Sequence, residues 1–223
     1  MFSNGETNFF TGGSAMIKVE PTVTVLWATP NPAEVVCMAA SQTVKQHPDF
    51  NGSIPSLIGF LYNAEHRSVL EHAVASIRLE GVSRAFMAQI TRHRLASYTC
   101  SSQHYQNYSK YPVIESEYTE RMEMAIDDAL AAYDEAIKNG MPKDVARMVL
   151  PEGMTVNMIM TANAREWAEI LHQRLCDRNT IETHKVCKEI RLVLYDWFPE
   201  LFQHVGPQCY EEHCKQGKMR CSK

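Results

Sequence analysis

The sequence predicts a mixed α/β (α+β) chain, and three observations carry that expectation. Apolar residues at helical spacing dominate from residue 116 onward, two short stretches before residue 82 have strand character, and a third apolar stretch lies near residue 157. Strand order cannot be read from these patterns.

The elements follow in chain order. Residues 22–27 (TVTVLW) are β-branched and short, and Pro30 and Pro32 stop them; residues 33–44 then carry helix formers with apolar residues at helical spacing. Asn51-Gly52 marks a turn, residues 56–62 read as a second short helix, and residues 73–80 (AVASIRLE) alternate as a half-buried strand does. Glu65-His66-Arg67-Ser68 forms a polar loop between them, closing at Glu71-His72. Residues 83–94 predict an amphipathic helix that opens on a capping serine, shares Phe86, Met87 and Ile90 on one face, and holds Arg92, His93 and Arg94 in its last turn. Residues 98–111 are too polar and aromatic for a simple core element and read as a functional loop or an edge strand. The longest helical pattern is 116–138, ending at Asn139-Gly140, and a short helix is expected over 142–150. Residues 157–162 read as a strand or a buried connector. Helices follow over 165–174, with Trp167, Ile170 and Leu171 inward, and over 182–197, halted before Pro199.

With 223 residues, 45% of them hydrophobic, the chain can bury a core without metals or disulfides, so residues 16–223 are expected to form one domain with a polar tail from about 206. Residues 1–15, polar and glycine-bearing, read as a leader or tag-like segment. The formal charge of -4 argues against nucleic-acid and membrane-surface partners, which favour a net basic face. No apolar run approaches a membrane span, no signal-peptide order opens the chain, and seven irregularly spaced cysteines suit free thiols in a reducing compartment. A cytoplasmic location is the expectation.

Chemistry concentrates in residues 89–105, QITRHRLASYTCSSQHY. Arg92 and Arg94 flank His93 with planar donors suited to phosphate or carbonyl oxygens, and Ser101, Ser102 and Gln103 add hydroxyl and amide partners. On their own these residues read as an anion site, although a basic triplet closing a helix serves equally as a solvated face or a cap. No glycine-rich dinucleotide fingerprint, GxxxxGK loop or GxSxG elbow is present. Cys209, His213, Cys214 and Cys221 lack the paired spacing of zinc sites and read as free side chains, so no metal is expected.

The spacing says more than the triplet. Arg92-His93-Arg94, seven residues, then Ser102 with Tyr105 trailing resembles the RHR-x7-S signature of the flavin-dependent thymidylate synthases. Glu65-His66-Arg67-Ser68 with Glu71-His72 resembles the family's H-x-[ST]-x-x-E-H segment. Residues 145–151 (VARMVLP) resemble its VAR-x-hLP segment, and Asn163-Ala164-Arg165 its NAR segment, with Arg174 nine residues further on, where the family keeps a catalytic arginine. The likeness spans about residues 20 to 200.

The resemblance implies a central, mostly antiparallel sheet flanked by long helices, and a homotetramer with sites shared between subunits. It implies methylation of dUMP to dTMP with methylenetetrahydrofolate as carbon donor, reduced FAD as hydride source and NADPH as reductant of the flavin. Arg174, His66 and Ser102 would be catalytic, Arg174 by favouring charge on the pyrimidine at N3. Ser68, Arg92, His93, Arg94, Cys100, Asn163, Ala164, Arg165 and Glu169 would face FAD; Gln89, Arg92, Ser101, Ser102, Gln103, His104, Arg147 and Arg174 would hold dUMP. Three positions depart from the family pattern. His104 replaces an arginine, so a permanent cation becomes a titratable one; Cys100 replaces a carboxylate or amide, and Glu169 an amide. His104 and Cys100 keep open the same chemistry on UMP or dCMP; a nucleotide- or flavin-binding homologue without turnover is a second alternative, against which Arg174 argues.

Overall fold

The computed structural model describes residues 16–43, 53–210, 214 and 216–221. The expected leader at 1–15 and the Asn51-Gly52 turn lie outside the described residues. The chain opens with β1 (Lys18–Val19) and β2 (Thr22–Ala28), then α1 (Pro32–Ser41) and α2 (Ile54–Asn63). A single 3-10 stretch, residues 67–72, separates α2 from β3 (Val74–Ser83), and α3 (Arg84–Ile90) leaves β3 directly. Next come β4 (Ser97–Cys100), β5 (Val113–Ile114), the long α4 (Glu120–Lys138) and the short α5 (Lys143–Ala146). β6 (Thr155–Asn163) runs straight into α6 (Ala164–Arg174), and α7 (Ile181–Trp197) and α8 (Pro199–Phe202) follow.

The central sheet has the order β2-β3-β6-β4 and is antiparallel throughout, while β1 and β5 form a separate parallel pair. The stretch at 157–162 is therefore a strand, and an interior one. Register explains its residue choice. Ile77 lies opposite Met160 and Leu79 opposite Met158, so the alternate residues Ala75, Ile77, Leu79, Met158, Met160 and Ala162 line one buried face. Helices α6 and α7 cover that face with Trp167, Ile170, Leu171, Ile190 and Leu194. The Trp167 indole N–H donates to the Ala75 carbonyl at 3.2 Å, pinning α6 to β3. A smaller cluster gathers Tyr108, Val113, Ile126, Tyr133, Ala146 and Met154 against α4.

Several boundaries differ from the sequence reading, each for a local reason. The long helix starts at Glu120 because Thr119 takes the N-cap, accepting from the Met122 N–H at 3.4 Å. The segment expected as one helix over 142–150 splits into α5 and a 3-10 turn over 147–149 ahead of Pro151. Within the polar 65–72 loop, residues 67–72 form a 3-10 helix, with Val69 and Leu70 buried on the core. Gly81 adopts φ 71°, which permits the bulge between Leu79 and Val82.

Candidate functional site

Two strand-to-helix corners build the centre of the site. Ser83 ends β3 and caps α3, its hydroxyl accepting from the Phe86 N–H at 2.9 Å; Asn163 ends β6 and caps α6, accepting from the Glu166 N–H at 2.9 Å. β3 and β6 are antiparallel neighbours, so α3 and α6 start from opposite ends of the sheet and run toward each other. Their C-terminal ends meet. Side chains on a helix lean toward its N-terminus, and the long Arg174 side chain reaches accordingly from the last residue of α6 to the end of α3.

There the helix expected to run to Arg94 stops at Ile90. Thr91 returns its hydroxyl to the Met87 carbonyl at 2.8 Å, and the Tyr98 hydroxyl on β4 engages the carbonyls of Ile90 at 2.8 Å and His93 at 2.9 Å. The RHR triplet thus lies in a turn, not in a helix end, and the three residues part company. Arg92 and Arg94 are exposed, while His93 folds inward to 7% exposure.

Arg174 donates from Nε to His93 Nε2 at 3.0 Å and from one Nη to the Gln89 carbonyl at 2.9 Å. The Gln89 side chain accepts from the Thr183 hydroxyl at 3.1 Å, which ties α7 to the same point. Among the described residues no carboxylate pairs with Arg174. The guanidinium is half-buried, and burial lowers its pKa, with the Arg92 charge adding to that and the Cys187 thiol opposing. Burial foremost, and the Arg174 charge next, push the His93 pKa down to about 4, with Glu169 opposing and Arg92 adding. Neutral His93 therefore sits behind a cation that lacks a counter-ion among the described residues. That is the electrostatic state of a site awaiting an anion.

The other expected residues fall into two further groups. In the loop after β4, Ser101 is structural: its N–H donates to the Asn157 carbonyl at 2.8 Å, and its hydroxyl accepts from the Asn157 N–H and meets the Tyr108 hydroxyl at 3.2 Å. The Ser102 hydroxyl accepts from the His104 N–H at 3.2 Å, His104 is exposed, and Cys100 is half-buried with its thiol pKa raised by burial. Gln103 is 6% exposed, yet its side-chain amide nitrogen is buried with no hydrogen-bond partner among the described residues. An orphaned buried donor costs about 1–3 kcal/mol, so an acceptor supplied from outside the chain gains by meeting it. Lys143 donates to the Tyr105 carbonyl at 2.8 Å, tying α5 to this loop, and half-buried Arg147 follows α5 with its Nε on the Asp144 carbonyl at 3.3 Å.

The remaining group surrounds the start of α6. Exposed Arg165 pairs with Glu71 at 2.6 Å, Ser68 is exposed on the 3-10 stretch beside it, and His66 is exposed with its ring 6.2 Å from Phe60. Asn163 spends its side-chain oxygen on the helix cap, and Ala164 is fully buried. Glu169 is exposed and accepts from the Gln173 amide at 2.7 Å. Sequence reading missed Glu166, whose Oε1 lies 3.7 Å from His93 Nδ1, and also Thr183 and Tyr98. A glutamate in a first helical turn is ordinary dipole chemistry, so nothing in the sequence singled it out.

Comparisons with known proteins agree with this architecture. Residues 24–200 match the family model described as thymidylate synthase complementing protein. The chain is 30% identical over 217 residues to the flavin-dependent thymidylate synthase of Geobacter sulfurreducens, covering 90% of this chain and 94% of that protein. It is 30% identical over 247 residues to that of Haloarcula marismortui, covering 89% and 98%. In fold it resembles a UMP/dUMP methylase from Streptomyces cacaoi, crystallised with 5-Br dUMP, with a TM-score of 0.73 at 19% identity over 84% of this chain and 96% of that one. Both the family-model match over most of the chain and the two near-full-length relatives make this chain a member of the flavin-dependent thymidylate synthase family.

Proposed function

We propose that this chain methylates dUMP to dTMP, with FAD as cofactor and NADPH and methylenetetrahydrofolate as co-substrates. The observation that carries the reading is Arg174, a half-buried guanidinium oriented by His93 and the Gln89 carbonyl and lacking a carboxylate partner among the described residues. Uracil C5 is a poor nucleophile until negative charge builds on the ring. A preorganised cation where that charge develops lowers the barrier without reorganisation at the moment of reaction.

The residues present fit a flavin dinucleotide. Arg92 and Arg94 lie exposed on either side of His93, with no hydrogen bond or ion pair among the described residues, and are donors suited to a pyrophosphate. Ser68, Arg165 and the free amide nitrogen of Asn163 add donors near the start of α6, and the exposed Arg165–Glu71 pair is cheap to open. Cys100, Ala164 and Glu169 complete the proposed set. When bound, reduced FAD supplies the hydride. Around the nucleotide, Arg147 contributes charge-assisted bonds to the phosphate, half-buried Ser102 and exposed His104 add polar groups, and Gln103 offers its orphaned amide. To His66, exposed just ahead of the 3-10 stretch, we assign a hydrogen bond or proton relay toward the flavin and folate.

We further propose a cytoplasmic homotetramer with shared sites. Met148, 75% exposed, and Val145 and Val149 present an apolar surface around Arg147, which suits burial against another subunit. None of the described cysteines is in a disulfide, and no described helix is long and apolar enough to cross a membrane.

The reading expects purified protein to be yellow and to form dTMP from dUMP only with NADPH and methylenetetrahydrofolate; colourless protein that fails to take up added FAD would contradict it. Competition among dUMP, UMP and dCMP for one site identifies the nucleotide, and tight binding of FAD and nucleotide without turnover would mark a non-catalytic homologue.

A further inference from the structure

Glu166 has no assigned task, yet its surroundings are specific. Its carboxylate is 6% exposed in the first turn of α6, two helical turns before Arg174, with Oε1 3.7 Å from His93 Nδ1. An acidic residue that served only the helix dipole would do so from the surface, where its desolvation costs nothing. Burial against an imidazole calls for another account.

The other end of the ring meets Arg174. Arg174 has only donors, so its Nε–H can be received at His93 Nε2 only if that nitrogen carries no proton. A neutral His93 must then hold its proton on Nδ1, the nitrogen that faces Glu166. In the opposite tautomer an N–H would point at an N–H, and a bare nitrogen would face a carboxylate. The Tyr98 hydroxyl fixes the His93 backbone carbonyl but leaves the ring to be oriented by its two side-chain neighbours.

We propose that Glu166 is a positioning residue that selects the Nδ1–H tautomer of His93 and thereby keeps Nε2 available to hold Arg174 in its working orientation. The order is carboxylate, imidazole, guanidinium, with the Gln89 carbonyl bracing the guanidinium from α3. At 3.7 Å the first contact is electrostatic, longer than a direct hydrogen bond, and its low-dielectric setting is what gives it weight. This inference rests on the role given to Arg174 above.

Two variants and two readouts test it. Glu166→Leu removes the oxygen facing Nδ1, whereas Glu166→Gln leaves one there. Nitrogen-15 spectra of histidine-labelled holoenzyme, with His93 assigned through His93→Gln, report the tautomer directly and need no substrate. The expectation is a pure Nδ1–H signature in the unmodified protein and in Glu166→Gln, and its loss in Glu166→Leu. With dUMP, kcat should fall about 10–100-fold in Glu166→Leu and be largely retained in Glu166→Gln. Melting temperature checks that both variants are folded in the assay, since Glu166→Leu leaves the buried Nδ1–H of His93 facing no acceptor and lowers stability somewhat, whereas a shifted tautomer and a kcat loss confined to Glu166→Leu mark the positioning role. A folded Glu166→Leu protein with an unchanged tautomer overturns the proposal, as does an equal loss of kcat in both variants. If the unmodified enzyme makes no dTMP, the reaction assigned above fails, and the tautomer comparison still decides the role of Glu166.

Discussion

At the scale of single residues, chemistry is set by which side chains fold inward. His93 and Arg92 are neighbours in the chain, yet one is buried behind Arg174 and the other is free at the surface. Replacing Arg174 with alanine removes the cation at the site's centre, and a fall in kcat of about 100-fold or more is expected in a dTMP assay; intact turnover would remove its assigned role. His93 also makes stability depend on pH. Its pKa drops from an unfolded value near 6.5 to about 4, so between those values the unfolded chain binds a proton that the folded chain refuses. Stability contributed by this residue is complete above pH 6.5 and is lost as pH falls toward 4, by roughly 1–3 kcal/mol. Denaturant titrations at pH 7 and pH 4.5 measure the loss, and His93→Gln should shrink it. The sequence exposed Arg92, His93, Arg94, Ser102 and Arg174 as candidates, because their spacing is a linear feature. It could not show that Ser101 braces β6, or that Gln103 buries an unpaired amide, because those facts depend on what packs around the loop.

At the scale of elements, the site depends on two caps. Ser83 accepts from the Phe86 N–H and also bonds Glu182 on α7, through its own N–H at 2.7 Å and its hydroxyl at 2.5 Å. Ser83→Ala should cost about 1–3 kcal/mol and lower the melting temperature by several degrees, because it removes a cap and leaves a half-buried carboxylate short of a donor. A calorimetric scan at one pH checks this. The helices were legible from period and capping residues, and each lies within a few residues of its expected span. The end of α3 was not. A polar triplet continues a helical pattern in sequence, but the Tyr98 hydroxyl takes up the Ile90 carbonyl and turns the chain. Likewise residues 157–162 did not declare themselves as strand or connector, since an interior strand buried on one face reads like any apolar run.

At the scale of the whole molecule, the expected site residues form three groups: around Arg174, around the Ser101–Arg147 loop region, and around Arg165 and Glu71. The proposed sharing of sites between subunits makes a specific forecast. Mixing Arg147→Ala with Arg174→Ala, each inactive alone, should restore dTMP formation after subunit exchange, because some composite sites then draw both arginines from different chains. Met148→Glu should weaken assembly in sedimentation by placing a charge on an apolar contact. No restoration in fully exchanged mixtures would mean that each subunit completes its own site.

Linear order by itself determined most of the helices, two of the strands, the acidic balance and the motif spacings that suggested the family, because each rests on neighbours a few residues apart or on fixed counts along the chain. Only the tertiary structure decided the strand order, the inward turn of His93, the orphaned amide of Gln103 and the meeting of Glu166, His93 and Arg174. Those residues are 73 or more positions apart from His93 in the case of its two partners on α6. They come together because two antiparallel strands send their helices toward each other across one buried face, a relation that no local pattern encodes.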